Sequence, residues 1–187
     1  MKERPILFSG PMVRAILEGR KTQTRRIWKP RKNWQDECED GYSMPHFVDG
    51  DGEFHDQPCP YGQPGDRLWV RETWRVADGG TKYYEYAADR SVLREAVDEA
   101  CCLKWKPSIH MKRAASRITL EVVAVRVERL QEITPGDAVA EGIGHSDVDA
   151  AVVSYSSLWD RINGRGSWDA NPWVWVVEFR KVEGGAA

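Results

Sequence analysis

The alternation of apolar and polar residues predicts a mixed α+β domain, with strands too dispersed for a regular βαβ repeat. Arg4 to Ser9 reads as a short strand. Pro11 to Glu18 reads as a helix, opened by proline, with Met12, Val13, Ile16 and Leu17 on one face and Gly19 at its end. Arg20 to Trp28 follows as an extended segment. Pro64-Gly65-Asp66 forms a turn into a strand from Arg67 to Val76. There Leu68, Val70, Trp74 and Val76 share one face, and Arg67, Trp69, Arg71, Thr73 and Arg75 the other. Glu72 falls on the apolar face, where a carboxylate needs a partner or a wet cavity. An arginine ion pair is its ordinary explanation, and a ligand-binding or catalytic role the sharper one.

Lys82 to Ala87 is an aromatic strand candidate, and Asp89 to Cys101 has helical apolar spacing. From Arg117 to Leu130 the pattern is again a strand, but its phase slips. Ile118, Leu120 and Val122 lie on one parity and Val123, Val125 and Val127 on the other, as at a bulge. Thr134-Pro135 opens a short helix to Gly142. A longer one starts at Ser146 or Asp147, carries an apolar stripe through Ala151, Tyr155, Leu158, Trp159 and Ile162, and ends at Asn163-Gly164. Trp173 to Val182 is apolar on both faces over its first half, which suits a central strand. A small twisted β-barrel with peripheral helices satisfies this order with a single domain over residues 1–187, interrupted by an irregular acidic insertion at about 33–63.

Composition narrows the function. A chain of 187 residues with 41% hydrophobic content builds one core, and no apolar run approaches the ~20 residues that span a bilayer. The start, Met1-Lys2-Glu3-Arg4-Pro5, lacks the apolar segment of a secretory signal, so a cytoplasmic protein is expected, with its four cysteines as thiols. The net charge of −2 conceals segregation: Asn33 to Asp66 holds nine acids and no Lys or Arg, leaving the remainder with an excess of +7. Arg20 to Lys32 and Lys104 to Arg117 are basic blocks free of acids. With nine tryptophans, this suits a polyanion with stackable bases. Arg20, Lys21, Arg25 and Arg26, with Lys112, Arg113 and Arg117 on a second wall, are the candidate phosphate contacts, and Arg71 and His110 are further nucleic-acid-binding candidates. Trp69, on the arginine-rich face, is the stacking candidate ahead of Trp28 and Trp105.

Cys38, His46, His55 and Cys59 hold two sulfurs and two imidazoles, the donor set of a closed zinc site. Their spacing, C-x7-H-x8-H-x3-C, lacks the tight C-x2-C knuckle, so incidental residues in an acidic loop are the favoured reading. No metal and no other cofactor is expected.

Gly19-Arg20-Lys21-Thr22-Gln23-Thr24-Arg25-Arg26 concentrates cations and hydroxyls just after a helix. With Pro5-Ile6-Leu7-Phe8-Ser9, Pro64-Gly65-Asp66-Arg67-Leu68-Trp69-Val70-Arg71-Glu72, Ser108-Ile109-His110-Met111, Ala115-Ser116-Arg117-Ile118 and Trp168-Asp169-Ala170-Asn171-Pro172-Trp173-Val174-Trp175, it resembles the phage and prophage branch of the ASCH family. That resemblance implies a PUA-like β-barrel and a cleft that binds RNA, single-stranded nucleic acid or a modified nucleoside. Some members are amidohydrolases that remove acetyl from N4-acetylcytidine with a lysine, a threonine three residues later and a more distant glutamate. Lys21 and Thr24 match the first two, and Glu141 is the glutamate most similar in context, with Glu72 as the other acid. Lys21 and Thr24 share a site only if the chain turns just after Gly19, because residues three apart on a straight strand face opposite ways. Nucleic-acid or nucleoside binding is the leading reading and amide hydrolysis the alternative. Third comes a phage accessory module that docks a protein partner through the acidic insertion.

Overall fold

The structure is a computed structural model that describes residues 1–29, 46–48, 54–78, 82–89, 104–144 and 148–182. Its main sheet has five strands. These are β1 (Glu3–Leu7), β2 (Gln23–Ile27), β5 (Arg67–Arg71), β8 (Thr119–Arg129) and β9 (Trp173–Lys181), ordered β1-β5-β8-β9-β2. β1 runs parallel to β5, and the other neighbours are antiparallel. Two hairpins stand apart, β3 (His46–Val48) with β4 (Phe54–Asp56), and β6 (Trp74–Asp78) with β7 (Lys82–Tyr86). The first places a short ladder inside the segment expected to be irregular. The helix expected from Asp89 to Cys101 lies almost wholly outside the described residues.

The sheet is α+β in class but does not close into the expected barrel. Its edges, β1 and β2, form no ladder with each other. The Leu7 carbonyl accepts from Arg26 Nη2 at 2.6 Å. Beside β2, Lys21 bridges to Glu141, and the Thr22 N–H donates to the Ala140 carbonyl at 2.9 Å. A gap remains between the edges.

Three α-helices among the described residues pack beside the sheet. In α1 (Gly10–Leu17), Val13, Ala15 and Ile16 are buried, and the helix stops at Glu18 with Gly19 beyond it at φ +75°. α2 (Pro135–Ala140) is capped by Thr134, which exchanges hydrogen bonds with Asp137 in a capping box. α3 (Val148–Asn163) packs Ala151, Tyr155 and Trp159 onto Val174 and Val176 of β9. The other face of β9, through Trp175, Val177 and Phe179, joins a core with Ile6, Leu68 and Leu120. That two-sided burial explains its nearly continuous apolar run. No helix among the described residues is long and apolar enough to cross a membrane.

The phase slip in β8 is a bulge: register shifts between Val122 and Ala124, leaving Val123 half exposed. The single strand expected from Arg67 to Val76 is instead two strands meeting at a corner. Glu72 sits in that corner, buried, and accepts from Arg117 Nε at 2.9 Å and Nη2 at 3.0 Å. Burial pushes the Glu72 carboxyl up from 4.5, and Arg117 opposes the rise.

Asp66, at the turn into β5, accepts from the Lys2 N–H and from Arg4 Nη1, each at 2.7 Å. The Arg4 hydrogen bond, with help from the Lys2 N–H, lowers its carboxyl from 3.8 to about 2. The unfolded chain takes the proton first as pH falls, so this contribution is complete above 3.8 and fades toward 2. Asp66→Asn is expected to flatten the acid limb of stability over that window. Denaturant titrations from pH 5 to 2 check it, and an unchanged slope in the variant would reject the assignment.

Candidate active site

The gap between β1 and β2 opens into a pocket of about 340 Å³, at the lower end of the range for small-molecule sites. Leu7, Phe8 and Met12 form one side, Lys21 and residues 24–27 of the β2 edge another, and Tyr155, Leu158, Trp159 and Ile162 of α3 the third. Glu141, just past α2, completes the floor.

The local chain path explains why Lys21 and Thr24 meet here. After Gly19, the N–H groups of Arg20 and Lys21 both donate to the Ala15 carbonyl, at 2.9 and 3.0 Å, so the chain doubles back over the helix end. Regular strand begins only at Gln23. The bend removes the opposite-face rule between residues 21 and 24, and both side chains line the pocket while staying buried.

Lys21 Nζ donates to Glu141 Oε2 at 2.7 Å, the Gln23 carbonyl at 2.7 Å and the Glu141 carbonyl at 2.9 Å. Its ammonium also lies 5.5 Å from the Phe8 ring centroid. Burial pulls its pKa below 10.5; Glu141 resists, and Arg25 and Arg26 add to the lowering. The second Glu141 oxygen accepts from Arg25 Nη1 and the Tyr155 hydroxyl, both at 3.5 Å. Burial, reinforced by Glu141, raises the Tyr155 hydroxyl well above 10.0. Arg25 is held in turn by Glu128 and, at 3.3 Å, by Asp137.

Gly142 keeps this packing tight. It sits at φ +90°, and a Cβ there would lie 3.0 Å from both the Ala15 and Lys21 Cβ atoms. Gly142→Ala is expected to cost about 1–3 kcal/mol from strain and crowding, seen as a lower midpoint in denaturant. A midpoint equal to wild type would show that the turn is not constrained.

Other expected site residues lie elsewhere. Glu72 does not line the pocket; it belongs to the corner with Arg117, which also holds Asp89. Arg20 pairs with Glu18 and donates to the Gly142 carbonyl. Arg113 pairs with Glu3 at 3.0 Å, and Arg71 donates twice to the Met111 carbonyl while lying 5.1 Å from the Trp69 ring. His110 and Lys112 are exposed. Trp28 is buried in the core, and Trp105 faces Arg75 at 4.5 Å. Of the zinc candidates, Cys38 lies outside the described residues, His46 and His55 fall on the β3–β4 hairpin, and Cys59 packs half-buried against the core. Phe8, Tyr155 and Trp159 join the pocket without having been singled out. The last two share the apolar stripe of α3, whose spacing marks burial but not what is buried.

The solved structures similar to this one include an ASCH domain from Lactobacillus crispatus JV V101, at TM-score 0.45 and 12% identity over 96% of this chain and 79% of that one. Protein EF3133 from Enterococcus faecalis V583, of the DUF984 family, is similar at TM-score 0.45 and 10% identity, over 97% and 81%. Hypothetical protein PH0355 is similar at TM-score 0.40 and 12% identity, over 97% and 100%. No family model and no curated protein matches the chain.

Proposed function

We propose that the pocket hydrolyses an amide on a nucleobase, with N4-acylcytidine as the substrate class. The observation that carries this is the convergence of Thr24, Lys21 and Glu141 on the lining of one pocket. Amide hydrolysis needs a nucleophile, a base and an acid for the leaving amine. The Thr24 hydroxyl is the nucleophile. Lys21 becomes a base by passing a proton along its 2.7 Å hydrogen bond to Glu141 Oε2; on Lys21, burial works in that direction and the Glu141 charge against it.

Thr24 Oγ then bonds to the acyl carbon, its proton goes to the Lys21 amine, and the C–N bond breaks as the leaving nitrogen takes the proton from Glu141. Lysine and glutamate return to their starting charges. Water repeats the sequence on the ester: Lys21, again neutral, takes its proton, and Glu141 returns one to Thr24 Oγ. The net reaction is amide plus water to amine plus carboxylic acid. Incubation of purified protein with N4-acetylcytidine is expected to release cytidine and acetate in equal amounts; absence of both rejects the reading.

Single-stranded nucleic-acid binding is the second reading, supported by the exposed Lys104, Lys106, His110 and Lys112 of the second basic block. An affinity for RNA that falls steeply with salt would mark it. The protein-docking reading rests on an acidic insertion that lies mostly outside the described residues.

A further inference from the structure

Among the described residues, four cations line the pocket, and they divide into two kinds. Lys21 and Arg25, at the floor, are matched by carboxylates: Lys21 by Glu141 at 2.7 Å, and Arg25 by Glu128, Asp137 and Glu141. Arg26 and Lys29 face no carboxylate among the described residues. Glu141 is the one acid among the described lining residues, and both of its oxygens are already engaged. Arg26 Nη2 is held by the Leu7 carbonyl and its guanidinium lies 5.3 Å from the Phe8 ring centroid, yet its Nε is buried with no acceptor among the described residues. The Arg26 guanidinium lines the pocket with no carboxylate on it among the described residues, and an anion is the partner that such a charge favours. Lys29 adds an exposed ammonium on the same lining.

We infer that the ligand carries a phosphate ester, seated against Arg26 and Lys29 while its base reaches the Lys21–Glu141 floor. The substrate is then a nucleotide rather than a free nucleoside. The base identity rests on the hydrolase reading above; the anionic group rests on Arg26 and Lys29 alone.

The test is calorimetric titration of the full chain with cytidine and with cytidine 5′-monophosphate, neither of which needs turnover. The monophosphate is expected to bind at least about tenfold tighter. Arg26→Gln/Lys29→Gln should erase that advantage, so that within the variant the monophosphate binds no tighter than cytidine. Lys29→Gln alone, an exposed substitution that leaves the fold intact, should erase part of it. A cytidine bearing a 5′-carboxylate separates phosphate recognition from attraction to any anion; equal affinity for the two anions would overturn the phosphate assignment. The inference also fails if nucleoside and nucleotide bind equally, if the advantage survives both substitutions, or if neither binds while a short RNA does. Preference for the monophosphate without hydrolysis of N4-acetylcytidine would sink the hydrolase and leave this inference standing. Hydrolysis without that preference would do the reverse.

Discussion

Thr24→Ala and Lys21→Met are each expected to lower cytidine release from N4-acetylcytidine by about a thousandfold or more, with the fold kept. On the proposed mechanism Thr24 Oγ bonds to the acyl carbon, so alanine removes a covalent step and not merely a contact. Methionine at 21 keeps the unbranched stem that packs by Phe8 and Gly142 but removes the base. Glu141 would still have Arg25 and Tyr155 as partners, both at 3.5 Å. The two losses should not add, because nucleophile and base act in the same step. If Thr24 only positions a water, Thr24→Ala would retain activity within about tenfold of wild type, and the nucleophile assignment would fall.

The second large effect is on stability, and it is asymmetric. Glu141→Ala leaves Lys21, only 4% exposed, with two backbone carbonyls and no counter-charge. Breaking a buried pair from that side is expected to cost about 3–5 kcal/mol. For a chain of this length, that is a fall in Tm of about 10 °C. Lys21→Met should cost clearly less, because Glu141 keeps Arg25. Joined to Glu141→Ala, it should recover part of the loss.

The pH dependence has a defined sign. Burial already holds the folded Lys21 pKa below 10.5, and removal of Glu141 lowers it further. Over that interval the unfolded chain binds the proton and the folded one does not, so the Glu141→Ala protein gains stability as pH rises toward 10.5. Thermal melts of the three variants from pH 6 to 10 test both statements. Equal losses for Glu141→Ala and Lys21→Met would contradict the buried-pair account.

Local rules made part of this legible from sequence. The helix ending at Gly19, the bulge at Val123 and the two-faced burial of β9 follow from spacing and parity, which act over a few residues. Lys21 and Thr24 were found through a resemblance, and the bend that unites them follows from a positive-φ glycine. The partition of the basic residues was not legible. Arg113 is neutralised by Glu3, 110 positions away, and Arg117 by Glu72, 45 positions away. A charge run does not show which of its members are already paired. Nor does an apolar stripe separate Tyr155 and Trp159, which border the pocket, from neighbours that only fill the core. The open sheet was hidden for a similar reason, since strand number and strand spacing are the same whether or not the edges pair.

The most direct measurement is the rate of cytidine release from N4-acetylcytidine by wild-type protein and Thr24→Ala side by side, with matched melting curves. Turnover by wild type and its loss in the variant is the predicted result. Absence of turnover in wild type, or equal rates in both, would contradict the assignment of this pocket as a hydrolytic site.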